Sequence, residues 1–240
     1  MEDKIIFLNN DDDEYYLALD NNALCSAFGL DAKILEYSKS RGIDINDFLS
    51  YAHANLLYNA SNEKQLKKID ALLSLLKRAY KKEIRFVITP TVLKEVFNNH
   101  ISFGPVKPNL FFHKLSVQHV AFDDYQQKLI DELVVDLMAP YETTQVHDGH
   151  SYKKTTYPFA GNHNQNHDHD ARIFAESIFV GADLFTFDTD FKNRDLIYQV
   201  VKRFEQKHPE TKGISKFKII IPLQPEKKKF GRKLGQTKGE

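Results

Sequence analysis

The feature that most restricts the fold of this chain lies in its last third, where two segments of helical spacing alternate with two strand-like runs. Helical spacing covers 168–181 and 195–207, and apolar strand-like runs cover 183–187 and 217–221. Strands that alternate with helices build a mostly parallel sheet covered on both faces. The expectation is therefore an α/β fold with helices on either side of the sheet.

The same alternation is looser upstream. The apolar run Tyr15–Leu19 ends at Asp20, follows the acidic stretch Asp11, Asp12, Asp13 and Glu14, and reads as a strand. Residues 5–8 read as a second strand, paired to the first across an irregular turn. Over 63–82, Leu66, Ile69, Leu73, Leu76 and Tyr80 recur three and four apart, which places them on one helical face. The segment around Phe48, Leu49, Ala52 and Leu56 is also helical in pattern, so 30–82 form a mostly helical excursion. Val and Ile mark 85–89 as a strand, and Pro90 opens a helix through 99, proline being well tolerated in a first turn. Gly104, Pro105 and Pro108 break the pattern over 102–118. Helical spacing through Tyr125, Leu129, Leu133 and Leu137 then spans 123–139 and stops at Pro140. Residues 140–167 are polar, rich in His, Asn, Thr and Tyr, and lack a period. They read as a long loop or an inserted subdomain, a kind of segment that is often functional.

These elements fit one elaborated domain over 1–225, with inserted segments at 30–82 and 100–167. A basic tail follows over 226–240. Its Lys227, Lys228, Lys229, Arg232, Lys233 and Lys238 are opposed only by Glu226 and Glu240, and it is expected to be disordered. Apolar residues make up 42% of the 240, enough for a sizeable core, and the longest apolar runs are too short to cross a bilayer. Met1 is followed by Glu2 and Asp3 rather than by a basic and then apolar leader, so the expected location is cytoplasmic. Cys25, the single cysteine, reads as a small buried residue and excludes an internal disulfide. Lys plus Arg balance Asp plus Glu at 33 each, so the electrostatic footprint of many nucleic-acid binders is missing and any such role must come from a site. No Walker loop or G-x-G-x-x-G follows a strand, which removes weight from nucleotide-cofactor folds.

Ligands of an open parallel sheet bind beyond the carboxyl ends of its strands. Asp20 ends the first strand, and Asp188 and Asp190 follow 183–187 at a spacing of two, which puts both side chains on one side of an extended backbone. Glu95 lies early in the helix after 85–89, and Asp170 opens the next long helix. All five map to one sheet edge. Mg²⁺ and Mn²⁺ favour hard oxygen ligands, and one or two such ions activate water and stabilise the leaving oxygen in phosphodiester hydrolysis. Without a cation, carboxylates so close repel and one binds a proton at raised pKa. Each residue also has a purely structural use: Asp20, Glu95 and Asp170 suit helix amino termini, and Asp188 and Asp190 suit a turn.

Four blocks carry a resemblance: Leu17-Ala18-Leu19-Asp20-Asn21-Asn22-Ala23-Leu24, the stretch from Val87 through Pro90 to Glu95, Asp170 through Glu176, and Leu184-Phe185-Thr186-Phe187-Asp188-Thr189-Asp190-Phe191. They resemble the PIN-domain nucleases. That resemblance implies a three-layer α/β/α sandwich with a mostly parallel central sheet, here enlarged by helical insertions, and a carboxylate site for Mg²⁺ or Mn²⁺. It makes Asp20, Glu95, Asp170 and Asp188 the catalytic metal-site carboxylates, Asp190 a further contributor, and Asn22 and Thr186 supporting polar residues. The implied activity is a nuclease, an endoribonuclease on single-stranded RNA, with a DNA-directed nuclease as the alternative. A homodimer and an inhibitory protein partner are compatible with the family, and no membrane association is expected. The long insertions depart from the compact toxin members.

Three competing readings are weaker. The Phe187-Asp188-Thr189-Asp190 run looks like the nucleophile motif of haloacid-dehalogenase-like phosphatases, but such a motif follows an early strand and needs later Lys and acidic motifs that the remaining chain is too short to supply. His147, His150, His163, His167 and His169 are irregularly spaced in a polar segment and lack the helical frame of a zinc site. A catalytically silent binding or scaffold protein on the same fold is the third, since a fold does not guarantee its usual activity. Phe103, Phe111, Phe112, Tyr152 and Tyr157 lie in the irregular middle segments, where aromatic rings stack on unpaired bases in other proteins and pack into cores in most.

Overall fold

A computed structural model of the chain describes residues 15–42, 62–98, 117–148, 150–159, 166–188 and 191–222. The strand expected at 5–8, the helical stretch around Phe48, the aromatic residues Phe103, Phe111 and Phe112, and the basic tail lie outside the described residues.

A five-stranded sheet forms the centre. Its strands are β1 (Tyr15–Leu19), β2 (Ile84–Ile88), β3 (Val117–His119), β6 (Asp183–Phe185) and β7 (Ile219–Ile220), in the order β3-β2-β1-β6-β7. Every neighbouring pair is parallel. Between β3 and β6 the chain forms a separate antiparallel hairpin, β4 (Tyr141–His147) and β5 (His150–Thr156). The helices are α1 (Asn21–Arg41), α2 (Glu63–Tyr80), α3 (Pro90–Asn98), α4 (Asp124–Met138), α5 (Asn166–Phe179) and α6 (Arg194–Lys207). They flank the sheet as in a three-layer α/β/α sandwich: α1 packs on α2 and α2 on β2, while α5 packs on α3, α4 and β6 and α4 packs on α6. None of the described helices is long and apolar enough to cross a membrane.

The central strand is β1, and its Leu17, Ala18 and Leu19 are sealed from solvent by β2 on one side and β6 on the other. Apolar periodicity sets the helices. In α1, Ala23, Leu24, Ala27, Leu30 and Ile34 make a buried stripe at helical spacing. In α2 the buried face is Leu72, Leu73, Leu75, Leu76 and Ala79, and the Asn62 side chain caps the helix by accepting from Gln65 N at 2.9 Å. Helix α4 opens on a capping box: Asp123 accepts from Gln126 N at 2.7 Å while the Gln126 side chain accepts from Asp123 N at 3.2 Å.

Of the two readings of the segment after Pro140, a long loop or an inserted subdomain, the structure replaces the loop over much of its length with regular strands. Residues 141–156 form the hairpin, with His147 paired to His150 across a two-residue connection. Asp148 takes φ of 51°, the left-handed setting that such a turn requires. Strand β5 is exposed along almost its whole length, so burial imposes no apolar alternation on it. The hairpin is fastened at its base. Phe159 is buried edge-on against Phe191 at 5.3 Å and near Phe174 at 6.3 Å between ring centroids, Asn193 Nδ2 donates to Tyr157 O at 2.8 Å, and Arg203 both donates to the Tyr141 hydroxyl and lies 4.8 Å over its ring.

Candidate functional site

Strand order fixes where the site lies. From β1 the chain moves outward to β2, and from β6 it moves to β7 on the opposite side, so the order reverses between β1 and β6. At such a switch point the crossovers diverge and leave a crevice beyond the carboxyl ends of the two strands. Asp20 follows β1 directly, and Thr186 and Asp188 follow β6.

Asp20 is buried, and both of its oxygens are engaged. Oδ1 accepts from Ala23 N at 2.6 Å, so the carboxylate caps α1, and Leu24 N donates to Asp20 O at 2.8 Å to begin the helical ladder. Oδ2 accepts from the Thr186 hydroxyl. The structural use and the site position coincide in one residue. Thr186 is fully buried and joins the two carboxylate loops: its Oγ1 also accepts from Asp188 N at 2.8 Å, and its own N–H donates to Ile220 O at 3.1 Å.

Glu95 reaches the same edge from α3. Its Oε1 stands 2.9 Å from His169 Nδ1 on α5. One helical turn earlier on α3, Thr91 donates its N–H and hydroxyl to the buried carboxylate of Glu176, at 3.1 and 2.7 Å. Thr91 and Glu95 are four apart and His169 and Glu176 are seven apart, spacings that keep each pair on one helical face. The two rungs therefore lock α3 and α5 side by side, running in opposite directions, and fix the height of Glu95 against the sheet. Spacing within the sequence gives no pairing for His169 or Glu176; their partners are 74 and 85 residues away, and only packing brings them together.

The carboxylates interact. Burial pushes the Asp20 carboxyl up to about 6, the negative charges of Asp188 and Glu95 add to the rise, and the hydrogen bonds from Thr186 and Ala23 oppose it. The same field acts on the half-buried Cys25, whose thiol is pushed up to about 11 by burial first and then by the charges of Asp20 and Glu95. Its Sγ donates to Asn21 Oδ1 at 3.3 Å. Asp170 is half-buried in the second turn of α5, which begins at Asn166, somewhat earlier than expected. Asn22 is exposed in the first turn of α1, and Asp188 is half-buried. Asp190 lies outside the described residues.

The donor set is of the kind a hard divalent cation takes: carboxylate oxygens, with one lone pair left on each Asp20 oxygen after its hydrogen bond. A cation there would offset the repulsion from Asp188 and Glu95 that adds to the effect of burial on the Asp20 carboxyl. Among the described residues, no three His, Cys, Asp or Glu side chains stand close enough together to hold a metal. No protein-family model matches the chain, and no curated protein does.

Proposed function

We propose that the chain is a metal-dependent nuclease of the PIN type, an endoribonuclease acting on single-stranded RNA. The observation that carries this reading is the position of Asp20: a carboxylate at the β1/β6 switch point, its pKa raised by burial first and then by the charges of Asp188 and Glu95. Asp20, Glu95, Asp170 and Asp188 would hold Mg²⁺ or Mn²⁺, with Asp190 as a further contributor. A cation held there would supply positive charge to the scissile phosphate and lower the pKa of an attacking water. Thr186 holds the Asp20 carboxylate and the Asp188 backbone in one arrangement, and His169 orients Glu95. Below about pH 6 a proton competes for Asp20, so ionic binding of the cation weakens. The preference for RNA rests on the resemblance of the four sequence blocks.

The test is cleavage of matched end-labelled single-stranded RNA and DNA with Mg²⁺, Mn²⁺ or EDTA, alongside Asp188→Asn. Internal cleavage of RNA that needs the metal and disappears in the variant is the expected result. Cleavage of DNA alone redirects the substrate. No cleavage of either, with no rise in melting temperature on adding Mn²⁺, assigns the fold to a partner-binding role instead.

A further inference from the structure

A cleft of about 510 Å³ lies between α6 and the edge strand β7, and is lined by Arg194, Tyr198, Lys202, Lys216, Phe217 and Lys218 among others. Its link to the crevice is Ile220, which lines the cleft and pairs with Thr186. Arg194 is the first residue of α6, directly after the single 3-10 turn Phe191–Asn193, and Ile220 accepts from Thr186 N at the carboxyl edge of the sheet. Its lower end is formed by Lys216 and Lys218 on the approach to β7. Arg194 and Lys202 are eight residues apart on one helix, about 12 Å along its axis.

Four cations in one cleft stand out in a chain whose formal net charge is +0. Among the described residues, Arg194, Lys202 and Lys218 make no ion pair, although the charges of Asp183 and Asp195 reach Tyr198 in the cleft wall. Asp183, which borders β7, is engaged by the Tyr15 hydroxyl and by Lys218 N at 2.7 Å.

An edge strand would ordinarily invite an extended peptide to add as a further strand. Here the geometry opposes it. Lys218 O and Ile220 O accept from β6, so the Ile219 backbone faces outward, and its N–H already donates to the Tyr198 hydroxyl at 2.9 Å. The donor an added strand needs is occupied, and the cationic side chains remain the cleft's recognition groups.

We infer that the α6–β7 cleft is a backbone track for a single-stranded nucleic acid, holding successive phosphates of the strand whose scissile bond lies at the Asp20–Asp188 edge. The inference rests on the nuclease reading for its ligand class. Lys and Arg neutralise phosphates and release counterions, a sequence-independent interaction that positions the strand while the carboxylates select the bond to be cut.

The experiment measures binding of a fluorescent single-stranded RNA oligonucleotide to the full chain over a salt series with EDTA present, so that no cleavage is needed. The chain is compared with Arg194→Gln/Lys202→Gln/Lys218→Gln and with a control, Lys67→Gln/Lys77→Gln/Lys81→Gln, on α2 and its C-terminal cap. Because the slope of log K against log salt changes by about 0.7 per cation on a single strand, the cleft variant should flatten it by roughly 2 and weaken binding alike for different sequences. The control should leave the slope unchanged. Unchanged melting of both variants guards against misfolding, and single substitutions, each shifting the slope by about 0.7, replace the triple variant if it does not fold. Equal slopes in the cleft variant and the parent, equal loss in the control, or binding of a polyglutamate peptide in preference to RNA would overturn the track. RNA binding through the cleft without cleavage under any metal would remove the nuclease reading and leave the track standing, whereas metal-dependent cleavage insensitive to the cleft variant would do the reverse.

Discussion

Replacing Asp20 by Asn should make the metal-free protein more stable at neutral pH. The carboxyl rises from 3.8 to about 6 on folding. A shift of about two units, at about 1.4 kcal/mol each, corresponds to about 3 kcal/mol. The sign follows from proton binding. Between those pH values the folded chain holds the Asp20 proton more tightly than the unfolded chain, so this contribution is fully present in acid and is lost as pH rises through about 6. Asn resembles the protonated state: its carbonyl can accept from Ala23 N, and its amide can donate to Thr186 Oγ1. In EDTA near pH 7.5, Asp20→Asn should gain up to about 3 kcal/mol in urea unfolding, or roughly 6–12 °C in Tm for a chain of this size. Near pH 3.5 the two proteins should unfold together. Added Mn²⁺ at a hundred times its Kd should raise the parent by about 2.7 kcal/mol and leave the variant where it was. A variant that is less stable than the parent at neutral pH without metal, or whose gain is the same in acid, would refute the argument that burial and the charges of Asp188 and Glu95 strain this carboxylate.

Three further outcomes follow from the same geometry. Thr186→Val removes the donor to Asp20 Oδ2 and the acceptor for Asp188 N, and should cost about 1–3 kcal/mol in denaturant unfolding and move the Asp20 titration further up, as followed by carboxyl NMR shifts. Glu176→Ala leaves the Thr91 N–H and hydroxyl without their acceptor in the interior and should cost about 1–3 kcal/mol, with faster amide exchange in α3 than in α2. Cys25, pushed up to about 11, should alkylate slowly near pH 8, where about a thousandth is thiolate, and faster in Asp20→Asn; equal rates in the two proteins would remove the influence of Asp20 on the thiol.

How far the sequence discloses this molecule depends on how local the deciding force is. β1, α2, α3 and α4 are legible within a residue or two because apolar spacing and caps act over short stretches, and the position of Asp20 at the end of β1 follows from them. Helix α1 is harder to read, since two of the residues on its buried stripe are the alanines Ala23 and Ala27, whose pattern is weak. Strand β3 has three residues, none of them fully buried, and lies at the sheet edge, so it carries no alternation. The hairpin offers one signal, Asp148-Gly149, the pair favoured in a two-residue turn, but the exposed strand β5 supplies no apolar pattern to accompany it. Pairings such as Thr91 with Glu176 and Glu95 with His169 join distant parts of the chain, and no spacing within either segment announces them.

The way the hairpin is attached bears on how a chain like this can change over generations. Two strands alone are marginal in water, so β4 and β5 depend on the anchorage at their base by Phe159, Tyr157 and Tyr141. Beyond that anchorage almost every side chain of β5 faces solvent. Residues added to or removed from its tip would leave the packing of β1 and β6, and with it the Asp20 and Thr186 linkage, in place. Length variation, acquired affinity for new partners and experimental insertion of a reporter can all be accommodated at that tip, whereas a single-residue deletion in β1 would turn every side chain of the central strand to the wrong face.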